Sequence, residues 1–122
     1  MSAVAQYPLH AVGSVGNASS VARDAGSDAE YVCLEVVIEA IGATPTVTIA
    51  LEGSMDGTNF VACRHVPHDS ETSAASQTYT TTGRRYLFLK SDLGAFFRFF
   101  RAVSSANTNV TFSTNLFTLD RD

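Results

Sequence analysis

Thr46-Val47-Thr48-Ile49-Ala50-Leu51-Glu52 runs into Gly53-Ser54-Met55-Asp56-Gly57-Thr58-Asn59, and then into Phe60-Val61-Ala62-Cys63-Arg64-His65-Val66. The first segment alternates strictly: Val47, Ile49 and Leu51 face one way, Thr46, Thr48 and Glu52 the other. Period 2 with β-branched residues marks a half-buried strand. Asp56-Gly57 supplies the positive φ of a tight turn, Ser54 and Asp56 have side chains that cap backbone N–H groups, and Phe60 starts the return strand. The pattern predicts a β-hairpin with Ser54, Asp56 and Gly57 in its turn.

The same alternation extends in both directions. Upstream, Tyr31 to Ile41 places Val32, Leu34, Val36 and Ile38 on one face and Cys33, Glu35, Val37 and Glu39 on the other, with Gly42–Pro45 as a turn. Downstream come a Thr-rich edge strand at 76–82, a short strand at 86–90, Phe96–Val103, a turn cluster at 104–109 and a last strand at 110–119. No amphipathic helix pattern occurs. Seven or eight strands at roughly 10-residue spacing predict an all-β fold, an antiparallel β-sandwich or jelly-roll-like barrel. Residues 29–122 form its single domain. Residues 1–28 are small and polar with isolated valines, and read as an extended N-terminal arm or weak first strand. Such an arm suits a neighbouring subunit's surface, where main-chain hydrogen bonds form along a sheet edge.

Composition narrows the function. The 122 residues are 45% hydrophobic and only 16% charged, with 13 Ser, 13 Thr, eight Phe and no Trp. A net charge of −4 disfavours nucleic acid as a partner. No apolar run reaches the ~18–20 residues of a membrane helix, and Met1–His10 lacks the features of a secretory signal. Cys33 and Cys63 lie in apolar runs and read as two buried thiols, with a disulfide between neighbouring strands as the alternative. Cys63, His65, His68 and Asp69 match no closed zinc template, so no metal or other cofactor is expected. No nucleophile motif is present. Glu35 and Glu39 share a strand face, as a glycosidase pair would, but that placement suits a solvated sheet face or an interface rim better. The chain is expected not to be an enzyme.

The distinctive clusters are aromatic and cationic. Phe97, Phe99 and Arg101 alternate with Phe96, Arg98 and Phe100, and Arg84-Arg85 precedes Tyr86. Phe on both sides of a strand means that both faces are covered, by the chain itself or by a partner. Aromatic residues and arginine concentrate at interface hot spots. Arg84, Arg85, Phe97, Phe99 and Arg101 are therefore the interface candidates.

The segment Ser54–Phe60 after its alternating strand, Gly83-Arg84-Arg85-Tyr86-Leu87-Phe88-Leu89 and Phe96-Phe97-Arg98-Phe99-Phe100-Arg101-Ala102-Val103 together resemble small β-sandwich proteins encoded among tailed-bacteriophage structural genes. In those, a strand ending GSxDGxxF/W is followed by one near RYLR and a final V-T-F/V strand. The resemblance covers residues 31–119. It implies a virion protein that decorates or cements the capsid by bridging major capsid protein subunits, as a homo-oligomer, with a trimer suited to a local three-fold position. The same likeness admits a tail, neck or fibre-associated role. Similar hairpins in carbohydrate-binding sandwiches keep a carbohydrate- or receptor-binding module in view, with Tyr79, Tyr86 and Asn59 as candidates.

Overall fold

The computed structural model describes residues 4–26, 29–89 and 97–120. Eight antiparallel strands carry the described residues: β1 (Val4–Pro8), β2 (Arg23–Asp24), β3 (Ala29–Ser54), β4 (Val61–Ala62), β5 (His65–Pro67), β6 (Gln77–Tyr79), β7 (Gly83–Leu89) and β8 (Phe99–Asp120). No helix occurs among them, and the all-β antiparallel class expected from the alternation is the one observed.

Two strands dominate. β3 is 26 residues long and β8 is 22, and they pair from Ala29↔Asp120 to Ser54↔Phe99. The segments Gly42–Pro45 and 104–109 are therefore not hairpin turns, as the sequence pattern led us to expect. A hairpin would pair 31–41 with 46–52, whereas both stretches bond to β8. The ladder instead creases there. Thr44, Ala106 and Asn109 take φ values of 45°, 52° and 54°, and the register shifts between Ile41 and Thr46. The Asn109 side-chain amide donates to the Ala43 carbonyl at 2.7 Å across the crease.

The crease decides which residues form the core. The buried apolar residues on β3 are even-numbered before it (Val32, Leu34, Val36, Ile38) and odd-numbered after it (Val47, Ile49, Leu51). A one-residue slip turns every side chain to the other face. The irregular stretch 41–46 provides that slip, so the apolar faces of both halves point into one core. β8 contributes Phe100, Ala102, Val110, Phe112 and Leu116 to the same cluster. β7 flanks the first half of β3, from Cys33↔Phe88 to Ile38↔Gly83, and β6 flanks the second, from Val47↔Tyr79 to Ile49↔Gln77.

The N-terminal segment lies on its own chain. It runs antiparallel along the free side of β8, through Val4↔Leu119, Ser14↔Phe112, Ser19↔Val103 and Asp24↔Phe99. Leu9 and Ala25 are buried, and His10 locks the middle. The Thr114 hydroxyl accepts from the His10 backbone N–H at 2.8 Å and lies 2.9 Å from Nδ1, while Nε2 lies 3.0 Å from the Ala18 carbonyl. A neutral ring with its proton on Nε2 satisfies all three contacts. At the far end Asp24 takes a bidentate ion pair from Arg98, at 2.8 and 2.9 Å.

The Ser54–Phe60 hairpin forms, but its return strand is short. β4 pairs only Val61 and Ala62 with β3, and the Cys63 N–H still reaches the Leu51 carbonyl at 2.9 Å. His65–Pro67 then crosses to the other half of the sheet and pairs with β7, instead of continuing along β3. It is an edge strand, where the N–H that Pro67 lacks has no ladder to serve.

Candidate functional site

The creased sheet has two outer faces, and they are finished differently. Over the second half of β3, the Ser54–Phe60 loop folds back on the strands. The Ser54 hydroxyl accepts from the N–H groups of Asp56 and Gly57 at 3.2 and 2.9 Å, and donates to Asp56 Oδ1 at 2.9 Å. Asp56 Oδ1 also accepts from the N–H groups of Asn59 and Thr58, at 2.8 and 2.9 Å, and Oδ2 accepts from the Asn59 side chain at 2.8 Å. These donors, the Asn59 N–H foremost, hold the Asp56 carboxyl well below the usual carboxylate range. Gly57, at φ 79°, carries the turn over the Phe99 ring.

Two interface candidates on β8, Phe99 and Arg101, meet this loop. Arg101 binds Glu52 at 2.8 Å and lies 4.1 Å from the centre of the Phe60 ring. Phe99 is half-buried under Gly57, with the Arg98 guanidinium 5.8 Å from its centroid. Phe97 packs edge-on against Phe100, and a Cβ on Gly53 would come within 2.8 Å of the Phe97 ring and 2.9 Å of the Cys63 sulfur. Only glycine allows that approach. Phe96 lies outside the described residues.

Over the first half of β3 no loop folds back among the described residues. Strict alternation and register place Tyr31, Cys33, Glu35 and Val37 of β3, Asn115, Phe117 and Leu119 of β8, Arg84, Tyr86 and Phe88 of β7, and Val4 of β1 on one outer face. One end of the face is apolar. Val4, Tyr31, Cys33, Phe88, Phe117 and Leu119 line a groove of about 400 Å³ with almost no polar surface. Val4 is 70% exposed, Tyr31 61% and Phe88 49%. The rest of the face is polar and centred on Glu35, which is buried at 6%. Its carboxylate accepts from Asn115 at 3.1 Å and lies 3.7 Å from the Arg84 guanidinium. Its position beside the Tyr86 hydroxyl raises that phenol's pKa.

The candidates thus separate. Arg84 lies on the outer face of the first half. Arg85 is taken up by the Thr81 carbonyl and hydroxyl at 2.8 and 2.7 Å, and sits over the Tyr79 ring. Phe97, Phe99 and Arg101 belong to the second half. Glu35 and Glu39 have separate partners, Glu39 accepting from the Gly13 N–H at 3.1 Å. His65 is buried against Gln77, and His68 accepts from the Tyr86 N–H. Both cysteines are free, and burial pushes each thiol up to about 11. The carbohydrate candidates Tyr79, Tyr86 and Asn59 fall on β6, β7 and the Ser54–Phe60 loop, each with neighbours of its own.

Sequence reasoning missed Tyr31, Phe88, Phe117, Leu119 and Val4 as a set. The signal was available in part: Tyr31 and Cys33 stand on the face opposite Val32 and Leu34, so the strand carries apolar groups on both faces. Their meeting with Phe88 and Phe117 depends on register, which one sequence does not show.

No protein-family model matches the sequence, and no curated protein is similar to it by sequence. The fold has solved counterparts. It resembles the SPBc2 prophage-derived protein YomS at a TM-score of 0.73, with 12% identity, over 98% of this chain and 96% of that one. It also resembles the PBSX exported protein XepA at a TM-score of 0.71 and 15% identity, where 98% of this chain spans only 38% of the other. Identities this low establish a shared fold and leave function to the surface.

Proposed function

We propose that the chain is a non-enzymatic virion protein of a tailed bacteriophage that decorates and cements the capsid by bridging major capsid protein subunits. The observation that carries this reading is the bare apolar groove of Val4, Tyr31, Phe88, Phe117 and Leu119, set beside the Glu35–Arg84–Asn115 cluster. Contiguous exposed apolar surface rimmed by polar groups marks an interaction site. Each large apolar side chain fully removed from water there contributes roughly 1.5–3 kcal/mol. The paired charges of Glu35 and Arg84 form the polar rim, which sets register and partner choice more than affinity. A chain that binds only the assembled lattice stabilises that lattice by mass action. The fold likeness to a prophage-derived protein supports the phage setting.

Co-sedimentation with capsids of its phage tests the reading. Saturation at a lattice stoichiometry is expected, with binding lost in the double variant Tyr31→Ser, Phe88→Ser while its Tm stays that of the parent. Absence of capsid binding, or binding to tail fractions alone, overturns the capsid reading. Light scattering of the purified chain reads its copy number.

A further inference from the structure

The strand path β1-β8-β3-β7-β5 has two ends, and they are finished differently. β5 is covered on its outer side: the His65 N–H donates to the Ala74 carbonyl and the Ala74 N–H to the His65 carbonyl, both at 2.9 Å. β1 has no strand on its outer side among the described residues. Its sequence, Val4-Ala5-Gln6-Tyr7-Pro8, carries no charge. Natural edge strands are shielded by charge, proline, a bulge or a covering segment, because bare N–H and C=O groups template another strand. We propose that β1 pairs antiparallel with β1 of a second copy of this chain, across a two-fold axis, so that two sheets become one. The inference goes beyond the capsid reading and does not rest on it.

Three observations carry it. The first is the direction of the backbone groups. The Leu9 N–H donates to the Thr114 carbonyl on β8 at 2.9 Å, whereas the Pro8 carbonyl accepts from Arg23 Nε at 2.9 Å instead of from β8. Alternation then directs the groups of Ala5 and Tyr7 to β8, and those of Val4 and Gln6 outward. Pro8 has no N–H and its carbonyl is taken, so the open edge consists of the N–H and C=O groups of Val4 and Gln6.

The second is register. Opposite residues of a hydrogen-bonded antiparallel pair exchange both bonds. Val4 opposite Gln6 of the second copy, and Gln6 opposite its Val4, use every one of these groups in four main-chain hydrogen bonds. An axis through Gln6 would instead set Val4 against Pro8, which has no N–H to give. The axis of the full register passes between Ala5 and its copy, where a small side chain permits close approach and no like charges meet.

The third is the outer face. Val4↔Leu119↔Tyr31 form one row across the sheet, and Gln6↔Phe117↔Cys33↔Phe88 the next. In the proposed register the row ending in Val4 continues into the row starting at Gln6 of the second copy. A two-fold perpendicular to the sheet keeps both apolar grooves on one side, and Val4, 70% exposed in the single chain, gains a neighbour. With five residues a side the contact is small, and small interfaces make transient complexes.

Sedimentation equilibrium of the full chain decides the matter. A monomer–dimer equilibrium with a Kd on the order of 100 µM is expected. Gln6→Pro removes an outward N–H and leaves the bonds to β8 in place, since proline is tolerated where the N–H of an edge strand faces solvent. It is expected to keep the parent's Tm and to weaken dimerisation about tenfold, two of the four bonds being lost. Ala5→Cys places one thiol on each side of the axis, in a non-hydrogen-bonded pair with Cα atoms about 4.5 Å apart, within disulfide reach. Mild oxidation is expected to give a covalent dimer from Ala5→Cys and little from Gln6→Cys, whose opposite residue is Val4. Phe88→Ser, three strands from β1, is expected to leave the dimer unchanged, which keeps this outcome separate from the capsid test. A chain that stays monomeric up to about 1 mM, a parental Kd in Gln6→Pro, or equal cross-linking of Ala5→Cys and Gln6→Cys overturns the proposal. If Gln6→Pro lowers the Tm, the two cysteine variants decide.

Discussion

The two outer faces of the creased sheet come from the same strands, yet one is closed by the chain and the other is left open. Past the crease, Glu52, Phe99 and Arg101 are covered by a seven-residue loop whose own hydrogen bonds hold Phe60 against the Arg101 guanidinium. Before the crease, Tyr31, Phe88 and Val4 stand exposed in the equivalent layer. Alternation puts residues on the outer layer, and the loop at the end of each strand decides whether that layer is finished inside the molecule. The proposed capsid contact uses the exposed aromatic side chains of the unfinished half, Tyr31 and Phe88.

The core that joins the halves is the place to expect the largest effect. Phe100 and Phe112 are fully buried, one on each side of the crease in β8. Phe100→Ala is expected to cost about 3–5 kcal/mol, because a phenyl ring is lost and the sheet cannot collapse over the cavity. Urea unfolding is the measurement. If the two halves share one core, Phe112→Ala costs a similar amount and both variants unfold in a single transition. Two transitions, one per variant, would break the picture of one folded-over ladder.

This shared core was the most legible part of the molecule. Val32, Leu34, Val36 and Ile38, and then Val47, Ile49 and Leu51, are chosen by period 2 alone, and every one is buried. Strand continuity was not legible. Gly42–Pro45 carries turn-forming residues whether the chain reverses or creases, and only the partner strand tells the two apart. The seat of the arm was illegible for a related reason. Residues 4–26 are held by backbone hydrogen bonds to β8, by His10 and by the Asp24–Arg98 pair, none of which leaves an apolar period in the sequence.

The next effect separates the outer faces directly. Arg101→Ala is expected to lower stability by about 1 kcal/mol, since it strips the cover from Phe60 and leaves the half-buried Glu52 without its partner. Phe88→Ser, at a position of the same layer in the open half, is expected to change stability by less than about 0.5 kcal/mol. Equal losses in the two variants would mean that the open half is finished after all, by contacts within the chain. A loss only in Arg101→Ala sharpens the contrast, because it leaves Phe88 with no role in holding the fold.

The smallest effect concerns the arm that borders both halves. Burial lowers the pKa of His10, so the folded state holds the ring neutral while the unfolded chain protonates it near pH ~6.5. Below that pH the unfolded state binds more protons, so stability rises with pH through this window and falls as the solution is acidified. Protonation puts a hydrogen on Nδ1, which lies 2.9 Å from the Thr114 hydroxyl and on that tautomer accepts from it. The contact changes from a bond into an encounter of two donors unless the hydroxyl turns. The loss is local, because the neighbours of His10 are Thr114, Ala18 and the edge-on ring of Phe112. Amide exchange of residues 9–20, corrected for intrinsic rates, is therefore expected to quicken between pH ~7.5 and ~5.5, a window centred on the ordinary histidine pKa, while the β3–β8 ladder keeps its protection. His65, also lowered by burial, adds a pH dependence of the same sign but sits on β5, so its signal falls at 65–77 and not in the arm. His10→Asn has no proton to gain and is expected to abolish the pH step in the arm alone. A step that survives in that variant would take the lock away from His10 and assign it to the Asp24–Arg98 pair at the arm's other end, whose depressed carboxylate loses its contribution only as pH falls below the ordinary carboxylate pKa of ~4.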